Sequence, residues 1–198
     1  SSAASDVYKR QDQTDVDGTI YVAEMTTSLA LLMGNQETLD LITFDTDETP
    51  RSIQLYGVDP DVVGKAVALV VEADMADHID LNFGCPVPKV TRKGGGSALP
   101  WKRDLFADIV QSAVKNAKGK VPVTVKMRIG IDDDHQTFLD AGKIASDAGV
   151  FWIALHGRTA AQYYGGQADW QAIAQLVEHV PNTPVLGNGD IWSAQDAK

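Results

Sequence analysis

A single cysteine, Cys85, stands in a chain of 198 residues. No intramolecular disulfide framework is available, and the lone thiol fits a reducing, cytoplasmic setting. No apolar run approaches the roughly 20 residues of a membrane span, and no stretch reads as a secretory signal. Basic residues are scarce. The 17 Lys and Arg face 27 Asp and Glu, for a net charge of −10, which taken alone argues against a nucleic-acid binder because phosphate contacts need a basic surface. A G-x-G-x-x-G turn after an early strand is missing too, which counts against an open, doubly wound sheet. There is no repeat of solenoid period and no linker that would divide the chain.

What is present alternates. Candidate strands Ile20–Ala23, Ser52–Leu55, His78–Asn82, Val121–Lys126, Phe151–Leu155 and Pro184–Gly187 are separated by amphipathic stretches, clearest at Val62–Glu72, Leu105–Lys115, Phe138–Asp147 and Trp170–His179. Asp59-Pro60 supplies a cap and a first-turn proline for one helix, while Gly119 and Gly149 sit where helices should stop. Strand–helix alternation implies right-handed crossovers and parallel strands covered on both faces. The expectation is an α/β fold, a parallel (β/α)8 TIM barrel, incomplete, with about six of its eight strands. Residues 1–11 lack periodicity and read as a non-native or disordered leader; residues 12–198 read as the partial barrel.

In such barrels reactive groups gather where strands end and loops lead into helices. Polar residues cluster at those places here: Gln54, then Asn82-Phe83-Gly84-Cys85-Pro86 with Lys89, Arg92, Lys93 and three glycines, then Lys126-Met127-Arg128, His156-Gly157-Arg158-Thr159 and Asn188-Gly189-Asp190. Each has a plain structural alternative. Cys85 is either a small buried hydrophobe or a reactive thiol. A thiol is mostly protonated at neutral pH and can donate its proton; Pro86 holds Cys85 extended, Gly84 allows a close turn, and the following glycines permit a mobile lid. Lys126 ends a strand that should be buried, so its ammonium either reaches a polar pocket or snorkels to the rim. His156 is a satisfied core histidine or a pocket residue. Asn188-Gly189-Asp190 is a tight turn or part of a phosphate-binding loop. Asp132-Asp133-Asp134 reads as a solvated loop and helix cap rather than a metal site.

The motifs Asn82-Phe83-Gly84-Cys85-Pro86-Val87-Pro88-Lys89-Val90, Gly96-Ser97-Ala98-Leu99, Val125-Lys126-Met127-Arg128, His156-Gly157-Arg158-Thr159, Gln162-Tyr163-Tyr164, Ala168-Asp169-Trp170 and Asn188-Gly189-Asp190-Ile191 occur in one order and spacing. Together they resemble the tRNA-dihydrouridine synthases, over about Gly18 to the end. The resemblance implies a flavoprotein oxidoreductase, an FMN-containing barrel that reduces the C5=C6 bond of uridines in tRNA, with NADPH reducing the flavin. It implies Cys85 as the acid that protonates C5. Gln54, Lys126 and His156 would contact the flavin ring or ribityl chain, Asn188, Gly189 and Asp190 would line the ribityl–phosphate end, and Asn82, Lys89, Arg128 and Arg158 would meet the substrate. No metal is implied.

The partner implied is tRNA, with no membrane. A basic mouth of Lys89, Arg92, Lys93, Lys102, Arg103, Arg128 and Arg158 can coexist with an acidic body, since exposed charges act within a Debye length of about 8–10 Å. The family's first and last strands and its C-terminal helical tRNA-binding domain are expected to be absent. Two other readings compete: a related FMN barrel acting on a free pyrimidine, resembling dihydroorotate dehydrogenase, and a catalytically inert tRNA- or phosphate-binding fragment.

Overall fold

A computed structural model describes residues 19–46, 48–193 and 195–196; the leader expected at residues 1–11 lies outside them. The elements follow one another as β1 (Thr26–Thr27), α1 (Ser28–Leu32), α2 (Gln36–Leu41), β2 (Ser52–Tyr56), α3 (Pro60–Glu72), β3 (His78–Phe83), α4 (Pro88–Thr91), a 3-10 turn (Gly96–Trp101), α5 (Arg103–Ala117), β4 (Val123–Arg128), α6 (Phe138–Ala148), β5 (Ile153–His156), α7 (Trp170–His179) and β6 (Val185–Asn188). The six strands form one sheet in the order β1-β2-β3-β4-β5-β6, every pair parallel. A doubly wound sheet reverses its strand order at a switch point. Here each strand lies beside its predecessor, as in the wall of a TIM barrel.

The helices form one layer. α1 packs on α3, α3 on α5, α5 on α6 and α6 on α7. They cover one face of the sheet, where Ile53, Leu55, Ile79, Leu81, Val125, Met127, Ile153 and Leu155 are buried against helix residues such as Val67, Phe106, Ile109, Ala145 and Leu176. Each large side chain removed from water here contributes about 1.5–3 kcal/mol, and this shared core holds the strand ends in place.

Local signals act as read, with differences. Asp59 caps α3 by accepting the N–H groups of Asp61 and Val62, with Pro60 in the first turn. Gly149 ends α6 in the left-handed conformation at φ 87°. At the end of α5 that position falls to Lys118 (φ 53°), one residue before the expected Gly119. The stretch expected as strand Ile20–Ala23 forms only an isolated bridge, Val22 to Ser52, and the edge strand lies further on at Thr26–Thr27. Ile20 and Val22 are exposed whereas Thr26 is buried; β-branched residues look strand-like, but a parallel strand needs covering on both faces. Asp132 accepts the N–H groups of Asp134 and His135 in a turn and caps no helix. No helix among the described residues is long and apolar enough to cross a membrane.

Candidate active site

The other face of the sheet is polar. Side chains alternate along a strand, so when Ile79 and Leu81 turn toward the helices, His78, Asp80 and Asn82 turn inward. The same alternation sends inward Ser52 and Gln54 from β2, Thr124, Lys126 and Arg128 from β4, His156 from β5 and Asn188 from β6. The parallel register sets them level: Gln54 beside Asp80, Asp80 beside Thr124, Asn82 beside Lys126, Arg128 beside His156, and His156 beside Asn188. Adjacent inward residues are therefore close enough to pair.

Cys85 follows β3 and is partly buried. Asn82 bends the chain there, its Oδ1 accepting the N–H groups of Gly84 (3.1 Å) and Cys85 (2.9 Å). Ser97 anchors the far side, donating from its N–H (3.0 Å) and hydroxyl (3.1 Å) to the Cys85 carbonyl. The glycine this needs is Gly96, in the left-handed region at φ 56°, where a Cβ would come within 2.4 Å of the Cys85 carbonyl oxygen. At Gly84 a Cβ would make ordinary contacts of 3.5 Å, so the close approach expected there belongs to Gly96. Gly95 and Gly96 are buried beneath the loop, packed in place rather than free to form a lid.

Lys126 lies on the neighbouring strand, level with Asn82, and is half-buried. Among the described residues its hydrogen-bond partner is Asn188 Oδ1, at 3.2 Å. Burial pushes the ammonium below its ordinary pKa, and the Arg128 charge adds to this while Asp80 opposes it. His156 is buried and lowered to about 4, first by burial and then by Arg128, Lys126 and Arg158, so it is neutral at pH 7. Its Nε2 faces Arg158 Nη1 at 3.4 Å. Arginine can only donate, which places the ring proton on Nδ1. Gly189 lies against this ring at φ 123°; a Cβ there would meet Ala168 Cβ at 2.7 Å.

The two inward arginines are committed within the protein, each only 4% exposed. Arg128 donates to the carbonyls of Gly84, Thr159 and Tyr163, tying the Cys85 loop to the loop after β5. Arg158 donates to the carbonyls of Gly165 and Gly166 and grips Asp190 at 2.7 and 2.9 Å. Asp190 also accepts the Ala168 N–H at 2.6 Å, and these two partners hold its carboxyl below the usual range. The open positive charge near the mouth comes instead from Lys89, Arg92, Lys93 and Lys102, all exposed, while Arg103 pairs with Asp140.

The structure thus brings Gln54, Asn82, Cys85, Lys126, His156, Asn188, Gly189 and Asp190 to one end of the sheet, with Lys89 on the exposed surface of α4. Two further features belong to the site. Asp80 and Thr124 lie among the site residues, Asp80 4% exposed and Thr124 fully buried. Tyr164, 79% exposed, stands with Arg128 Cζ 5.6 Å from its ring centre and the His156 ring centre at 6.3 Å. The signal for the first was the polar alternation in three successive strands that should be apolar on both faces. Beside Asp190 a cleft of ≈ 410 Å³ opens, lined by Arg158, Tyr164, Trp170 and Trp192 among others. Among the described residues no cluster of His, Cys, Asp and Glu could hold a metal ion.

Comparison with known proteins adds to this. Residues 4–198 match the family model described as "Dihydrouridine synthase (Dus)". The chain is 56% identical over 188 residues to a "Probable tRNA-dihydrouridine synthase" of Mycobacterium leprae, covering 94% of this chain and 49% of that protein. It is 57% identical over 179 residues to a protein of the same name from Mycobacterium tuberculosis, covering 90% and 46%. The chain therefore spans about half the length of the curated relatives it matches. A crystal structure of DHODH from Eimeria tenella in complex with ferulenol superposes with a TM-score of 0.55 at 14% identity, covering 76% of this chain and 50% of that one. At that identity the likeness is one of fold.

Proposed function

The chain belongs to the dihydrouridine synthase family, and from that premise we propose that residues 12–198 are the catalytic barrel portion of a tRNA-dihydrouridine synthase, a cytoplasmic oxidoreductase. The protein reduces the C5=C6 bond of uridine in tRNA, with FMN as its flavin, NADPH as the reductant and Cys85 as the proton donor. The observation that carries this reading is the convergence of the anchored Cys85 loop, the half-buried Lys126 and the neutral His156 at one end of a parallel sheet.

The residues fit a flavin mononucleotide. An isoalloxazine ring carries carbonyl and ring-nitrogen acceptors, and the inward face offers an ammonium at Lys126 and amide groups at Gln54 and Asn188. A ribityl chain carries hydroxyls, which suit Asn188 and the Arg158-paired carboxylate of Asp190 around Gly189. When bound, a flavin would supply the two-electron chemistry, the hydride that C6 of the uracil needs. The chain's own part is the proton: the Cys85 Sγ–H bond breaks as the new bond to C5 forms, and the thiolate recovers a proton from solvent. Asn82 serves the substrate by keeping the Cys85 loop in place. Arg128 and Arg158 serve the substrate by holding the Tyr163–Gly166 segment.

A uridine in folded tRNA must leave its stack to meet such a site. Lys89, Arg92, Lys93 and Lys102 then meet the phosphates around the extruded nucleotide, which answers the objection from net charge.

The test separates the two half-reactions in the full-length protein. Cys85→Ala should leave flavin reduction by NADPH nearly unchanged while slowing uridine reduction by about 10²–10⁴-fold. Equal loss in both half-reactions overturns the proton-donor role.

A further inference from the structure

Along the inward face runs a set of hydrogen bonds that the proton transfer itself does not use. Ser52 Oγ lies 2.6 Å from His78 Nδ1, and His78 Nε2 lies 2.9 Å from Thr124 Oγ1. Thr124 Oγ1 donates to Asp80 Oδ1 at 2.6 Å. On the other side Gln54 Nε2 donates to Asp80 Oδ2 at 2.7 Å, and Asn82 Nδ2 donates to Gln54 Oε1 at 2.7 Å. Asn82 Oδ1 then receives the backbone of Gly84 and Cys85.

The direction of each bond follows from what each group can do. Backbone N–H groups only donate, so Asn82 must turn its oxygen to them and its NH2 to Gln54. Gln54 must in turn present its oxygen to Asn82 and its NH2 onward. That arm is satisfied only if an acceptor waits at its end. Asp80 is that acceptor. Because the Thr124 hydroxyl gives its proton to Asp80, it must accept from His78 Nε2–H, and His78 Nδ1 must accept from Ser52. Burial pushes the His78 ring down to about 4, so it is neutral and has one proton to place. Every donor in the network points toward Asp80.

We propose that Asp80 is a positioning residue, an acceptor whose two oxygens set the order of donors through Gln54 and Asn82 to the backbone of Cys85, and through Thr124 to the tautomer of His78. The consequence for catalysis rests on the reading of Cys85 as proton donor; the ordering of the network does not.

Two substitutions in the full-length protein test it. In Asp80→Asn the side chain keeps one oxygen and gains a donor, so one arm must reverse. The Gln54 arm ends in two backbone N–H groups that cannot reverse. The Thr124 arm can, by rotating two hydroxyls and moving the imidazole proton. The variant should therefore keep its Cys85 loop, with the thiol's alkylation rate by iodoacetamide within about 2-fold of the natural protein, while His78 moves from the Nε2–H to the Nδ1–H tautomer. Ring-nitrogen chemical shifts of isotope-labelled histidine read this directly. Asp80→Leu has no acceptor at all, and amide exchange at Cys85 and alkylation of its thiol should both rise by roughly 10-fold or more. An unchanged His78 tautomer in Asp80→Asn overturns the proposal, as does an unchanged Cys85 loop in Asp80→Leu. If Asp80→Leu does not fold, the tautomer in Asp80→Asn decides alone. Neither readout involves turnover, so a failure of the Cys85 proton-donor role would appear in the half-reaction experiment and leave these results standing.

Discussion

The two faces of β3 carry different tasks on alternating residues. Ile79, Leu81 and Phe83 face the helices and are at most 3% exposed; His78, Asp80 and Asn82 face inward and are joined by hydrogen bonds through Thr124 and Gln54 of the neighbouring strands. The outward residues are interchangeable in kind: burial is non-directional, and any apolar side chain of suitable volume preserves most of it. The inward residues are not. Each has a donor or acceptor that a neighbour's chemistry demands, and an unsatisfied buried polar group costs about 1–3 kcal/mol. One strand thus holds a tolerant half and an exacting half on adjacent residues.

That contrast can be broken from either side. The largest effect on stability is expected at Ile79→Ala, which leaves a cavity beneath the helices and should lower the unfolding free energy by about 2–5 kcal/mol in urea titrations. Alkylation of Cys85 in the folded variant should stay as it was. Loss of the loop together with the core would show that the two faces are not separable.

Between pH 6.5 and 4, acid should act through the histidines of the inward face. His78 and His156 are both lowered to about 4 from 6.5. Between those values the unfolded chain binds protons that the folded chain refuses, so stability should fall as pH falls from 6.5 toward 4, and these two groups should leave it flat above 6.5. For the buried His78 the loss is on the order of 3 kcal/mol, with a smaller share from His156. Asp80 is raised, chiefly by burial; its folded form takes up a proton first, which works in the opposite sense and reduces the net loss. Urea midpoints at intervals from pH 7 to pH 4.5 check this. A flat profile would mean that the histidines are not held neutral by the fold.

The smallest effect belongs to the outer surface. Lys118 and Glu72 pair at 3.1 Å between α5 and α3, with both side chains more than half exposed. Glu72→Ala should move the thermal midpoint by less than about 2 °C.

The sequence shows the outward half of this molecule better than the inward half. Apolar periodicity places α7 at Trp170–His179 residue for residue and the other three long helices within two residues. Five of the six strands lie where β-branched runs predict them. The exception is β1, where the run Ile20–Ala23 has the composition but not the cover, and Thr26–Thr27 has the cover with little composition to announce it. In the site, Cys85, Lys126, His156 and Asn188 stand in recognisable motifs at strand ends. Asp80 does not. It sits inside a strand, where a carboxylate reads as an interruption, and its meaning depends on Gln54 and Thr124, 26 and 44 positions away. Arg128 and Arg158 were legible as charges near a mouth, but their commitment to backbone carbonyls depends on how the loop after β5 folds back, which spacing does not reveal.

The levelling of Gln54 with Asp80, of Asn82 with Lys126 and of Arg128 with His156 across neighbouring strands also limits how this chain can vary in length. Inserting one residue within β3 would swing Asp80 and Asn82 under the helices and bring Leu81 into the cavity, spoiling both halves at once. Segments such as Asp132–Gln136 carry no such constraint and can grow or shrink. Gaps between this protein and its relatives should accordingly gather in the connections, leaving the strands uniform in span.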